Sequence, residues 1–443
     1  MTAPVPATRA PLGLWTATAL VVGNIIGSGL FLLPSTLAAY GAAALLGWAI
    51  SITGALALAL VFARLGRRHP LRGGPYAFAH LAFGPAAGFG VAWSYWIATW
   101  CGNAAIAVGF TGNFGALVPV ATSTPLHSAA TAIAALWICT LINIAGVRSA
   151  GIVQLVTTVL KLLPLLAIAI VGIAFVQPAE LGPFNRSGGN PWSVAITTAA
   201  LTLWAFLGLE SATIPASEVA DPERTVPRAT LIGTTIAALA TLSACMAVVA
   251  LLPADTLAHS NAPFADAATK LWGAGAGLLF AGAAAIACFG ALNGWVLMQG
   301  QVPLAAADDG LFPSMFARRD ANGTPVAGLV AGSVLATLLL VANYQQSLVG
   351  LFTFSILVST AATLVPYLVC SAADLRLAGK GEGGPRERAL AVFALIFSAA
   401  ALIGTGVEAL AWGVVLLAAG WPVYAWQRRR APQRPVNRPA TPG

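Results

Sequence analysis

Long apolar runs separated by short polar spacers make up almost the whole chain, and the length of those runs sets the first expectation. A hydrocarbon core of roughly 30 Å is crossed by about 20 helical residues, and about twelve runs meet that need. They lie near residues 12–38, 43–64, 84–118, 127–147, 152–176, 191–216, 228–252, 270–304, 325–344, 348–371, 388–405 and 409–427. Helices satisfy their own backbone groups inside lipid, so the pattern predicts an all-α polytopic membrane protein. The first run has no small-residue cleavage site and is followed at once by another, which makes it a retained span and not a signal peptide. The expected organisation is a short segment 1–11, one transmembrane unit over 12–427, and a basic tail 428–443 that reads as disordered and drawn to anionic lipid.

Composition agrees with lipid as the main solvent. Hydrophobic residues are 58% of the chain and charged ones 8%, too few charges to cover a soluble domain of 443 residues. A net charge of +8 would suggest nucleic acid in a soluble protein, but here 19 of the 22 Lys and Arg residues fall in alternate spacers. That distribution is a topology signal, placing both termini on the cytoplasmic side of the inner (plasma) membrane, with no nucleic-acid partner. Cys101, Cys139, Cys245, Cys288 and Cys370 all lie in apolar runs without C-x-x-C spacing, and packing is their expected role. His69, His80, His127 and His259 are scattered, so neither a metal site nor a Cys-His nucleophile pair is expected, and no cofactor is called for.

The chemistry is expected where apolar helices are interrupted. Gly23-Asn24-Ile25-Ile26-Gly27-Ser28-Gly29 puts glycines and polar residues in the middle of the first run. Such a stretch can unwind and offer backbone groups to a polar ligand, or can serve close helix packing through small residues. Five runs later, Trp204-Ala205-Phe206-Leu207-Gly208-Leu209-Glu210-Ser211 repeats the feature. Two broken helices in corresponding positions of two halves point to an inverted-repeat transporter with its site at the midplane.

Two ionisable residues lie inside the spans. Glu210 is expensive there unless protonated or paired, states that suit proton sensing; a structural acid held by hydroxyls is the other reading. Lys161, in the fifth run, stands either where a coupling cation would sit or as a snorkelling interfacial residue. In the third run Tyr95, Thr99 and Asn103 recur at i, i+4 and i+8 and so share one helix face. Trp204 offers a flat face to a cationic ligand, although tryptophan also serves packing and membrane belts.

The runs G-N-I-I-G-S-G-L-F-L-L-P (Gly23 to Pro34), W-A-F-L-G-L-E-S (Trp204 to Ser211) and, after Ala306, A-D-D-G-L-F (Ala307 to Phe312), with Gly323-Thr324-Pro325-Val326-Ala327-Gly328, carry a resemblance over about residues 12–425. The chain resembles the basic amino acid/polyamine antiporters of the amino acid–polyamine–organocation superfamily, the arginine/agmatine exchangers in particular. That resemblance implies a five-plus-five inverted repeat with broken helices 1 and 6, two extra helices, assembly as a homodimer, and exchange of arginine for agmatine by alternating access. It implies substrate contacts from Ile25, Ser28, Gly29, Ala98, Asn103, Trp204 and Ser359, gates at Tyr95, Trp295 and Tyr367, and proton or pH coupling through Glu210 and Tyr76. Lys161 resembles the fifth-span lysine of relatives that carry neutral amino acids, so a proton-coupled carrier of neutral amino acids is the alternative. A channel would favour rings of like residues around a symmetric pore, and an intramembrane hydrolase would need a nucleophile with its base; neither pattern is present in the sequence.

Overall fold

A computed structural model of the chain describes residues 13–26, 29–69, 71, 73–145, 165–172, 174, 183–213, 219–320, 323–378 and 384–430. The described residues form helices and no β-strand. The first expected span holds α1 (Leu14–Ile25) and α2 (Gly29–Leu37), followed by α3 (Ala44–Arg68), α4 (Pro75–Phe83), α5 (Pro85–Leu117) and α6 (Pro125–Ile144). Residues 165–172 are helical, and most of the expected fifth span, Lys161 included, lies outside the described residues. The second half holds α7 (Pro191–Leu203), α8 (Pro222–Leu251), α9 (Ala254–His259), α10 (Pro263–Trp272), α11 (Ala274–Asp308), α12 (Val326–Ala342) and α13 (Leu348–Ala378). Helices α14 (Pro385–Gly404), α15 (Val407–Ala418) and α16 (Gly420–Arg430) close the chain. Proline occupies the first turn of α4 to α8, except that α6 and α7 also carry side-chain caps from Thr124 and Asn190. There its missing N–H would have had no helical partner.

Seven stretches among the described residues are long and apolar enough to cross a membrane, and two shorter apolar helices, Pro191–Phe206 and Val326–Ala342, lie beside them. Several boundaries differ from the hydropathy pattern. Helices α3, α8, α13 and α14 run past the expected spans where the arginines cluster, and α11 runs on to Asp308, because a helix need not end where hydrocarbon ends. The run expected as one helix over 270–304 is two: Gly273, at φ 88°, separates α10, which holds Lys270, from α11. The run expected over 191–216 leaves the α-helix after Leu203.

The packing divides the spans into two groups. In one, α1 lies on α8, and α3 lies on both α7 and α8. In the other, α5, α6, α11 and α12 pack on one another, with α13 laid along α5. The halves of the chain correspond element by element. The contact of α1 with α8 is matched by α7 with α3, and that of α6 with α11 by α12 with α5. A short helix, a glycine at φ 88° (Gly84, Gly273) and then a long helix of 33 or 35 residues occur once in each half. Since α3 runs toward Arg64, Arg67 and Arg68 while α8 runs away from Arg224, the two short helices sit at opposite ends of the molecule. This is the five-plus-five inverted arrangement expected from the resemblance.

Candidate functional site

The two interrupted helices meet. After α7 the chain makes a 3-10 turn over Trp204–Phe206, an extended Leu207, Gly208 at φ 102°, and a second 3-10 turn over Ser211–Thr213. Glycine is required at 208 both for that φ and for room, since a Cβ there would stand 3.1 Å from Asn24 Cβ. Asn24, at the end of α1, donates from Nδ2 to Ser211 Oγ at 2.8 Å, tying the two breaks together. Edge-on contact of Trp48 with Phe206, centroids 6.0 Å apart, anchors the first turn from α3.

Glu210 sits in this bend, 0% exposed. Tyr95 donates its hydroxyl to Oε1, and Tyr367 donates to Oε2 at 2.6 Å. One carboxylate is thus held by hydroxyls from α5 and α13, and Phe62 of α3 supports Tyr367 edge-on. An acid in a span needs such donors to keep its charge, and losing them favours the neutral form. Two tyrosine hydroxyls on one carboxylate is the arrangement that the structural-acid reading named.

One to two turns along α5 from Tyr95 lies a second cluster. A Cβ on Gly102 would stand 3.1 Å from the Trp204 ring tip and 3.2 Å from Ser359 Oγ, so the absence of a side chain at 102 lets α5, Trp204 and Ser359 converge. Ser359 donates to the Ala98 carbonyl at 2.7 Å. Thr99 spends its hydroxyl on the Trp96 carbonyl at 2.7 Å, and Asn103 donates Nδ2 to Gln299 Oε1 at 2.8 Å. Ala98, Asn103, Trp204, Ser359, Tyr95, Tyr367 and Glu210 are all buried, so this region is sealed from solvent. Ile25 is the buried last residue of α1 and Gly29 the first of α2, while Ser28 lies outside the described residues. Trp295 is half-buried on α11, one turn before Gln299.

Small spaces flank the sealed region. A cavity of about 30 Å³ is lined by Tyr95, Gln301, Ala305 and Tyr76 on the side of the arginine clusters. A larger one of about 270 Å³, with Thr122, Ser128, His259, Asn261 and Tyr344 among apolar lining residues such as Val108, Leu340 and Leu351, opens toward the other end. Tyr76 stands apart from the Glu210 cluster: it donates to Asp309 Oδ2 at 2.8 Å, joining α4 to the end of α11. Burial raises the Asp309 carboxyl, opposed by the Tyr76 hydrogen bond and by His80, while the Asp308 charge adds to the rise. Burial holds the His80 imidazole below its usual range, against the pull of Asp309. Close by, Arg64 pairs with Asp374 across α3 and α13, and Arg68 with Glu387 at 2.8 Å.

Two facing helix breaks and a buried, hydroxyl-held acid inside apolar spans are features of a membrane transporter. Comparison with known proteins agrees: the profile of the Amino acid permease family matches residues 12–425. The chain belongs to the amino acid permease family. It is therefore a transporter and not an enzyme. Among curated relatives of this permease, a cadaverine/lysine antiporter of Escherichia coli (strain K12) is 33% identical over 399 residues, 89% of each chain. A putrescine transporter PotE of Haemophilus influenzae is 30% identical over 424 residues, covering 94% of the permease and 96% of the relative. PotE of E. coli K12 is 29% identical over 418 residues, covering 93% and 95%. These three names speak of lysine and diamines, and the narrower expectation of arginine with agmatine is not confirmed by them.

Sequence reasoning passed over Gln299, Asp309, and the pair Arg64 and Asp374. Gln299 was open to detection, as one of three amides, with Asn293 and Gln301, inside an apolar run. The ion pair was not, because 310 residues separate its partners.

Proposed function

We propose that the permease is a secondary exchanger of a cationic amino acid for its decarboxylated amine, with the substrate enclosed at the two helix breaks. The supporting observation is the meeting of Trp204, Gly102 and Ser359 beside the Glu210, Tyr95 and Tyr367 cluster, all of them buried. In this reading Ile25, Ser28 and Gly29 take the α-amino and carboxylate groups, where a helix N-terminus suits an anion. Trp204 stacks on the cationic end, and Ala98, Asn103 and Ser359 wall it in. Tyr95, Trp295 and Tyr367 gate the site. Glu210 couples the cycle to protonation, Tyr76 responds to pH at the arginine-rich end, and Lys161 takes the place of a coupling cation. That end faces the cytoplasm of the inner membrane, with both termini inside, and the assembly is a homodimer.

Lysine with cadaverine, ornithine with putrescine, and arginine with agmatine are the substrate pairs this reading admits. Purified protein in liposomes preloaded with each compound, assayed for uptake of labelled lysine, ornithine and arginine, tests it. Uptake should depend on a preloaded amine and follow one pair over the others. Equal uptake into empty liposomes refutes exchange. Competition by alanine or serine, with none by the cationic compounds, moves the permease to the neutral-amino-acid reading.

A further inference from the structure

Gln299 of α11 is 0% exposed and takes part in a chain of hydrogen bonds that crosses four helices. The direction of that chain follows from the chemistry of its ends. Thr140 of α6 donates its single hydroxyl hydrogen to the Leu136 carbonyl at 2.8 Å. Thr140 lies 2.7 Å from Ser333 Oγ of α12, so Ser333 must be the donor in that pair. Ser333 Oγ is then left as an acceptor, and it receives Gln299 Nε2 at 2.8 Å. The other hydrogen of Nε2 goes to the Leu329 main-chain carbonyl at 2.8 Å, an oxygen that can only accept. Exchanging the Gln299 oxygen and nitrogen would set two acceptors face to face, so the amide has one orientation.

That orientation passes to Asn103. With Oε1 of Gln299 turned toward α5, Asn103 must answer with Nδ2, at 2.8 Å. Its Oδ1 is buried without a partner among the described residues. Asn103 directly follows Gly102, the residue against which Trp204 and Ser359 close. A buried acceptor with no donor is costly unless something supplies the hydrogen. Glycine at 332 makes the arrangement fit, since a Cβ there would lie 2.5 Å from Gln299 Cδ and 2.9 Å from its Nε2.

We propose that Gln299 is a positioning residue for substrate selection: it holds the Asn103 side chain so that a carbonyl oxygen, and not an amide nitrogen, is offered to the substrate. The site thereby selects a ligand that ends in an N–H donor, an ammonium or guanidinium, over one whose side chain ends in a methyl group. The inference rests on the proposed cationic substrate and on Asn103 lying at its distal end.

The test is calorimetric titration of the detergent-purified permease with L-lysine and with L-norleucine, which lacks the terminal ammonium. Wild type should prefer lysine. Gln299→Met should lower the lysine-over-norleucine preference by about tenfold while leaving norleucine affinity nearly unchanged. Gln299→Glu, buried and neutral, keeps an acceptor toward Asn103 and should retain most of the preference. Gly332→Ala leaves Gln299 chemically intact but displaces its amide, and should reproduce the methionine variant if that protein does not fold. Equal weakening of both ligands, or an unchanged preference in Gln299→Met, overturns the positioning role while leaving the proposed function standing. Wild type binding norleucine as tightly as lysine overturns the cationic-substrate reading first, and this inference with it.

Discussion

Replacing Asp374 by alanine strands the Arg64 guanidinium between α3 and α13. Both side chains are nearly closed to solvent, 10% and 3% exposed, and Arg64 Nε already lacks a partner among the described residues. Breaking a buried pair from one side typically costs about 3–5 kcal/mol, because the remaining charge is left uncompensated. Here Arg64 Nη2 also donates to the Glu387 carbonyl at 3.3 Å, so the lower figure, about 3 kcal/mol, is the better expectation. The neighbouring Arg68 and Glu387 pair, 17% and 33% exposed, adds no more than about 1 kcal/mol. Since α3 and α13 lie on different packing groups, the loss falls on the closed arrangement of the arginine-rich end and shifts the balance toward its opening. A cost of about 3 kcal/mol corresponds to about a hundredfold in that equilibrium. Ala305→Cys, in the small cavity beside Tyr76 and Tyr95, reports the change through its rate of maleimide labelling, and the five native cysteines are buried. Labelling should accelerate by at least about tenfold in Asp374→Ala. A lower thermal midpoint with unchanged labelling would make the pair a purely structural clamp, and a change in neither would refute the reasoning.

Three further outcomes are expected. Glu210→Gln can accept from only one of Tyr95 and Tyr367, and it should flatten the pH dependence of exchange in proteoliposomes while leaving some turnover; an unchanged profile would remove the proton role. Trp204→Leu should weaken binding of a cationic substrate by about 1–2 kcal/mol in calorimetry, and Trp204→Phe less, whereas equal affinity for leucine and tryptophan forms would return Trp204 to packing. Burial lowers the His80 pKa in the folded protein, so the unfolded chain binds the proton more readily and stability should fall as pH drops through the ordinary histidine range, near 6.5. His80→Gln should lessen that slope in thermal melts across pH, and a wild-type slope in the variant would mean that other groups carry it.

Particular elements explain how far the sequence could be read. Glycines at 23, 27, 29 and 208 are audible in a linear chain because lipid tolerates little irregular backbone, so two interrupted spans at matching places already imply the facing breaks that Asn24 and Ser211 form. Glu210 was legible for the same reason: an acid in an apolar run must find donors. Which donors it finds was less so, since Tyr95 and Tyr367 lie 115 and 157 residues away and only the folded arrangement brings their hydroxyls to its two oxygens. The i, i+4, i+8 stripe on α5 names a helix face without saying what each residue meets, and the three go separate ways, to Glu210, to the Trp96 carbonyl and to Gln299.

The sequence by itself determined the solvent, the helical class and the places where helices break, because run length and the cost of unsatisfied backbone in hydrocarbon are local properties of the chain. Tertiary structure alone decided the separation of α10 from α11, the grouping of α1, α3, α7 and α8 against α5, α6, α11 and α12, and the pairing of Arg64 with Asp374. It also decided which atom of Asn103 is left to accept. Hydrogen-bond direction is a property of a closed network, in which a carbonyl on α12 constrains an amide on α11 and through it another on α5. Spacing along one chain holds no record of such a constraint.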